Sequence, residues 1–285
     1  MRAAVVLSVI AAAFGAAAVA PAQQPAAPQG NYGGGVVVAP SRSLYGAGNM
    51  LIGLRARAGE LELNVGMTLS CSHEAQFSAR VTPAADGSFR VKRTRSSGRA
   101  RTRFVVAGTI SGQTAAGSAT ARTSIRRGGR TTRCPVSRVR WQARRATGEI
   151  GIPPAAPKER MYGTTSQRLH GPRRAISLRL SSDATKLARA LYDVTVRCGR
   201  RTITDTYDAP KRNLPIAADG RVRDVERFTF EDRRTVYHST ERFKATIGAT
   251  GARGTFSTVA RIADRRSGRT LVRCRSGLVR WTAST

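Results

Sequence analysis

Aromatic side chains are scarce in this chain: Phe, Trp and Tyr make up 6% of its 285 residues, and only two of them are Trp. Its cores must be filled mainly by aliphatic residues and Ala, so a lean core needs another tie. Acids are scarce as well, 17 Asp and Glu against 49 Lys and Arg, a formal net charge of +32. Calcium cages and the paired carboxylates of glycoside hydrolysis both require clustered acids. The clusters present, Asp205 with Asp208 and Glu231 with Asp232, have no counterpart in the first half of the chain and are expected to be solvated acids offsetting nearby Arg. His73, His170 and His238 are isolated and supply no zinc set at ligand spacing. No metal or cofactor is predicted. Residues 108–112, GTISG, miss the Gly-x-Ser-x-Gly spacing of a nucleophile elbow, so Ser111 is expected at a turn and no catalytic residue is assigned. After residue 22 no apolar run approaches the roughly 20 residues a bilayer requires.

What the chain does have is a repeat. Residues 274–281 read CRSGLVRW, and residues 134–141 read CPVSRVRW. Working back from each Cys, residues 117–125 (GSATARTSI) overlay 254–262 (GTFSTVARI), with small or apolar residues at every second position. That is the period of a half-buried strand. Residues 104–112 align on 243–251 without a gap, and a short Gly-bounded connection predicts a hairpin. Further upstream Leu61, Leu63, Val65, Met67, Leu69 and Cys71 alternate unbroken, answered by Tyr192, Val194, Val196 and Cys198. Both copies carry an Asp-Gly turn, at Asp86-Gly87 and Asp219-Gly220, and a Tyr-Gly, at Tyr45-Gly46 and Tyr162-Gly163. Residues 183–191 fit either a short helix or, by the repeat, a strand. The expected class is all-β: two tandem antiparallel β-sandwich domains, immunoglobulin-like or jelly-roll-like.

In chain order, residues 1–22 combine an early Arg2, an apolar run and a small-residue cleavage site, the form of a secretory signal peptide. Residues 23–40, rich in Ala, Pro and Gly, predict a disordered tether, with Val36 to Val38 also fitting an edge strand. The first sandwich is assigned to 41–146, a Pro-rich linker to 147–159 and the second sandwich to 160–285. Without its leader the chain has no predicted membrane span, and its expected location is secreted or extracytoplasmic, at the cell surface.

Four cysteines fall at matching places in the two copies, which makes Cys71–Cys134 and Cys198–Cys274 the natural pairing among three. Cys and Trp stand an odd number of residues apart, so in one unbroken strand they would face opposite ways. A turn or bulge at Pro135, and at Ser276-Gly277, is needed if Trp141 and Trp281 are to join the disulfides in the core. The frame of Gly, then Cys, a short polar turn and Val-x-Trp-x-Ala resembles uncharacterised exported bacterial β-sandwich proteins that end in such a Cys and Trp strand. That resemblance implies no assigned activity.

Arg supplies 44 of the 49 basic residues. The excess is shared: residues 41–146 hold 20 basic and 4 acidic residues, and 160–285 hold 27 and 11. Fields of this strength attract polyanions in general. Arg126, Arg127 and Arg130, with Arg265, Arg266 and Arg269, occupy matching loops and are the candidate polyanion-binding residues. Sequence-specific nucleic-acid recognition is not expected, since no recognition motif or alternating stacking aromatics occur. The leading expectation is a non-enzymatic binding or structural module engaging an anionic cell-envelope polymer or other polyanion. A hydrolase of extracellular glycan or peptide, and a purely structural protein whose charge is compositional, stay open at this point.

Overall fold

The computed structural model describes residues 29–36, 49–69, 71, 74–156, 159–209 and 213–285. The signal peptide, most of the tether, Tyr45-Gly46 and His73 lie outside the described residues. The first copy is built from β1 (Gly30–Val36), β2 (Met50–Arg57), β3 (Glu60–Thr68), β4 (Glu74–Val81), β5 (Ser88–Ser97), β6 (Ala100–Ser111), β7 (Thr114–Arg127), β8 (Arg130–Arg133) and β9 (Ser137–Arg144). The second comprises β10 (Arg160–Arg168), β11 (Arg173–Leu180), β12 (Lys186–Cys198), β13 (Arg201–Ala209), β14 (Leu214–Pro215), β15 (Arg221–Glu231), β16 (Thr235–Ile247), β17 (Gly251–Asp264), β18 (Thr270–Arg275) and β19 (Val279–Ser284). No helix occurs among the described residues, so none there is long and apolar enough to cross a membrane.

Each copy forms one antiparallel sheet, ordered β4-β3-β2-β1-β9-β7-β6-β5 in the first and β13-β12-β11-β10-β19-β17-β16-β15 in the second. The all-β, antiparallel class is as expected, and each copy keeps its strands in one continuous hydrogen-bonded sheet. Period-two alternation says that one face is buried; it does not say whether that face meets a second sheet or the far side of its own. In the second copy the sheet meets itself. β17 pairs β19 along its first half and β18 along its second, and β18 reaches β12 with Cys198 opposite Cys274. In the first copy β8 pairs β7, and Cys71–Cys134 supplies the cross-link.

The alternating residues fill the interiors. Leu61, Leu63, Val65 and Met67 are buried in the first core, and Tyr192, Val194 and Val196 in the second. The strand breaks where the Cys and Trp parity required it: residues 134–136 and 276–278 are irregular, and Gly277 has φ +69°. Trp141 and Trp281 enter the cores 1% and 3% exposed. Each indole lies against a glycine on the neighbouring strand, Gly117 opposite Trp141 and Gly254 opposite Trp281, where a Cβ would overlap the ring. The Asp-Gly turns also match: Asp86 accepts the Ser88 N–H at 2.9 Å and Asp219 the Arg221 N–H at 3.1 Å, with Gly87 and Gly220 at φ +78° and +79°.

Three expectations change. The tether assigned to 23–40 contains β1, which runs between β2 and β9 inside the sheet. Its glycines are there for crowding: a Cβ at Gly33 would overlap the carbonyl of Gly163 in the other copy, and one at Gly34 the carbonyl of Gln142. The counterpart of Gly163 is therefore Gly34, since each stands opposite the Ala two residues past its Trp, Ala143 or Ala283. The hairpin alignment also shifts. Gly108 is opposite Gly117 as Ala245 is opposite Gly254, so Val106 matches Phe243, Phe104 matches Glu241, and both copies turn through two residues. Residues 183–191 resolve into a turn, with Asp183 accepting the Thr185 N–H at 3.1 Å, followed by β12.

The copies are docked, not strung on a spacer. β1 and β2 pack across β10 and β11, with Leu51, Ala175 and Leu191 in a shared cluster. β3 is buried on both faces, with Gly171 and Leu191 of the second copy close to it, and its Glu62 pairs with Arg55 and with Arg80 at 3.3 Å. The Pro-bearing segment after β9 lies along the second copy: Ile152 and Ile150 accept the N–H groups of Ala249 and Thr250, and Ala155 joins its core.

Candidate functional site

The arginines singled out from the sequence sit at hairpin tips. Arg126 and Arg127 end β7 and Arg130 opens β8, all exposed, around Gly128 and Gly129 at φ +53° and +80°. The matching tip of the second copy is partly neutralised. Arg265 pairs with Glu231 at 3.3 Å and donates to the carbonyl of Asp232. Asp264 accepts from the N–H groups of Arg266 and Ser267, and Asp232 from those of Arg234 and Thr235. These backbone bonds hold both carboxyls below the usual Asp range. Glu231 and Asp232 thus serve the turn and its Arg. Asp205 and Asp208 lie in β13 opposite Val194 and Leu191.

Ser111 ends β6 beside the hairpin turn, as expected, its carbonyl accepting from the Thr114 hydroxyl at 3.0 Å. His170 lies in the β10–β11 turn, while His238 on β16 meets Thr229 across the strand pair at 3.2 Å. Among the described residues, no group of three or more His, Cys, Asp or Glu is placed to hold a metal ion.

The strongest electrostatic feature escapes a scan for dense runs, because it is an absence. From Gly87 to Gly148, a stretch covering β5 to β9, the chain has sixteen Lys and Arg and no Asp or Glu. Most inward positions of these strands are apolar or small, Arg93 and Arg95 on β5 being the exceptions, so the cations stand mostly on the outer face, at alternate residues such as Arg90 and Lys92, Arg101 and Arg103, and Arg138 and Arg140. Arg103 is directly opposite Arg122, a like-charge pair that destabilises a bare sheet. The second copy carries acids in the matching strands, including Glu226 directly opposite Glu241 on the inner face. Their counterparts in the first copy are Arg93 and Phe104, a charge reversal visible only once the register is known.

Two shallow troughs open on this face, about 700 Å³ in the first copy and about 490 Å³ in the second. In the first, Arg90, Ala107, Ser118 and Arg140 form one row across β5, β6, β7 and β9. In the second, the same row reads Arg223, Lys244, Thr255 and Arg280 across β15, β16, β17 and β19.

No protein-family model and no curated protein matches the sequence. Among solved structures, kievitone hydratase from Nectria haematococca aligns over 95% of this chain and 94% of its own, at 10% identity and a TM-score of 0.22. A protein assigned as AttH from Nitrosomonas europaea aligns over 89% and 91%, at 11% identity and a TM-score of 0.22. Likeness at that level carries neither fold nor function across.

Proposed function

We propose that the protein is an exported, non-enzymatic binding module that engages an anionic extracellular polymer through the outer faces of its curled sheets. The observation that carries this reading is the acid-free stretch from Gly87 to Gly148, which gives the first copy a broad outer surface of cations without carboxylate partners along those strands. A sheet that keeps Arg opposite Arg gives up stability there, which a counter-charge supplied from outside recovers. Two disulfides with no free Cys fit an oxidising compartment and support export.

The test is a titration of the oxidised protein against random-sequence DNA, a teichoic-type polymer and a neutral glycan over a salt series. Counterion release lowers log K linearly with log salt, with a slope near 0.9 per duplex phosphate neutralised. Binding to a polyanion that persists near physiological salt, with charge-matched competitors failing, is the expected result. Indifference to all three, or attachment that vanishes equally from every polyanion as salt rises, sinks the reading and leaves a positively charged structural protein.

A further inference from the structure

The two troughs share more than charge. Arg90 and Arg223 each stand four residues past the Asp of the matching Asp-Gly turn, and Arg140 and Arg280 each precede the core Trp by one. Between them the register places a hydroxyl at two equivalent positions, Thr109 with Thr246 and Ser118 with Thr255. The same set therefore occurs twice: Arg from one edge, two hydroxyls on the floor, Arg from the other edge, all lining one trough per copy. Neighbouring outward positions have diverged, Lys92 answering Val225, Arg103 answering Thr240 and Arg122 answering Val259. Among the described residues none of the four arginines is in an ion pair.

We infer that these troughs, and not the hairpin tips, are the ligand sites, one in each copy, and that they take phosphate groups carried in series on one polymer. The inference rests on the polyanion reading above and names the chemistry of its ligand. The two Arg of each trough stand three strand spacings apart, about 14 Å between backbones, one on either side of the floor. A carboxylate presents both oxygens to a single guanidinium fork. A phosphate group directs its oxygens away from phosphorus in several directions, so it engages guanidinium groups at the sides and hydroxyls beneath at once, the partners such groups take from proteins elsewhere. Lys244 and Arg253, with Arg221 that is paired to Asp219, add three cations to the second trough, which is therefore the tighter one. Because the copies are docked, the ligand must span a fixed separation, and a chain serves where a single small anion fills only one site.

The test uses the oxidised protein with inorganic polyphosphate as probe and polyglutamate of matched charge as the carboxylate comparison, near physiological ionic strength. Three double variants remove two charges each: Arg90→Gln with Arg140→Gln, Arg223→Gln with Arg280→Gln, and Arg126→Gln with Arg127→Gln at the tip. Each trough variant should lose about tenfold in polyphosphate affinity and lower the salt slope by about one per arginine removed, while the tip variant changes less than about twofold. Replacing Arg223 and Arg280 by Lys keeps the charge and removes the fork, and should still lose most of the affinity. An unchanged urea midpoint establishes that each variant is folded, and the Lys pair keeps the test intact should a Gln pair not fold. Equal losses at tip and trough overturn the assignment of the site. Equal affinity for polyglutamate overturns the assignment of phosphate. Failure to bind any polyanion overturns instead the reading on which both rest.

Discussion

Asp183 shows how single side chains fix this fold's turns and make them sensitive to acid. Its carboxyl accepts from the Ser181 hydroxyl and from the Thr185 N–H, and these bonds, the first the stronger, lower its pKa to about 2. Asp86, Asp232 and Asp264 are lowered by similar turn hydrogen bonds, the largest cause being the N–H of Ser88, Arg234 and Ser267 in turn. A carboxyl that resists protonation when folded contributes stability above its unfolded pKa of about 3.9 and loses it as pH falls toward the folded value. For Asp183 that window runs from about 4 to about 2. The expected outcome is that Asp183→Asn has a flatter acid limb than the native protein in that window, with a constant difference above about pH 5, read as urea midpoints. Parallel acid limbs would show that the turn bonds do not survive in solution.

The two disulfides reinforce their copies unequally. In the second copy Cys198 and Cys274 are already opposite one another in paired strands, so cutting the bond leaves a ladder in place. In the first copy β8 pairs β7, and no ladder among the described residues joins it to the end of β3. The chain-entropy model assigns about 4 kcal/mol to each bridge at separations of 63 and 76 residues. Replacing Cys71 and Cys134 by Ala should cost at least that much in urea unfolding and weaken amide-exchange protection of β8 and β9. Replacing Cys198 and Cys274 should leave protection of β18 largely intact. The sequence made these elements legible where one face is buried: β3 by its unbroken alternation, β19 by Val279 and Trp281. β1 was illegible because its glycines answer to Gly163 and Gln142, contacts that composition alone reads as flexibility. The hairpin register was misread because Phe104 and Phe243 are both aromatic, whereas pairing aligns Phe104 with Glu241. The trough rows were hidden for the same reason, since they exist only across strands.

At the scale of the molecule, the glycine contact between copies decides whether the protein behaves as one body. Gly33→Ala places a methyl group into the Gly163 backbone, and overpacking of this kind typically costs 1–3 kcal/mol. Because the cost falls on the junction and not on either core, the native protein should unfold in one calorimetric transition and the variant in two. A single transition in both would mean that the copies are coupled by something other than this contact. The two Trp make that coupling visible by another route. Trp141 and Trp281 are the chain's entire complement, one per core, and neither indole N–H has a hydrogen-bond partner among the described residues. Each is an emitter buried in its own core, a setting that is lost when that copy unfolds. Replacing either one by Phe leaves a protein whose intrinsic fluorescence reports on a single copy, so duplication has left the chain with a separate optical channel for each half.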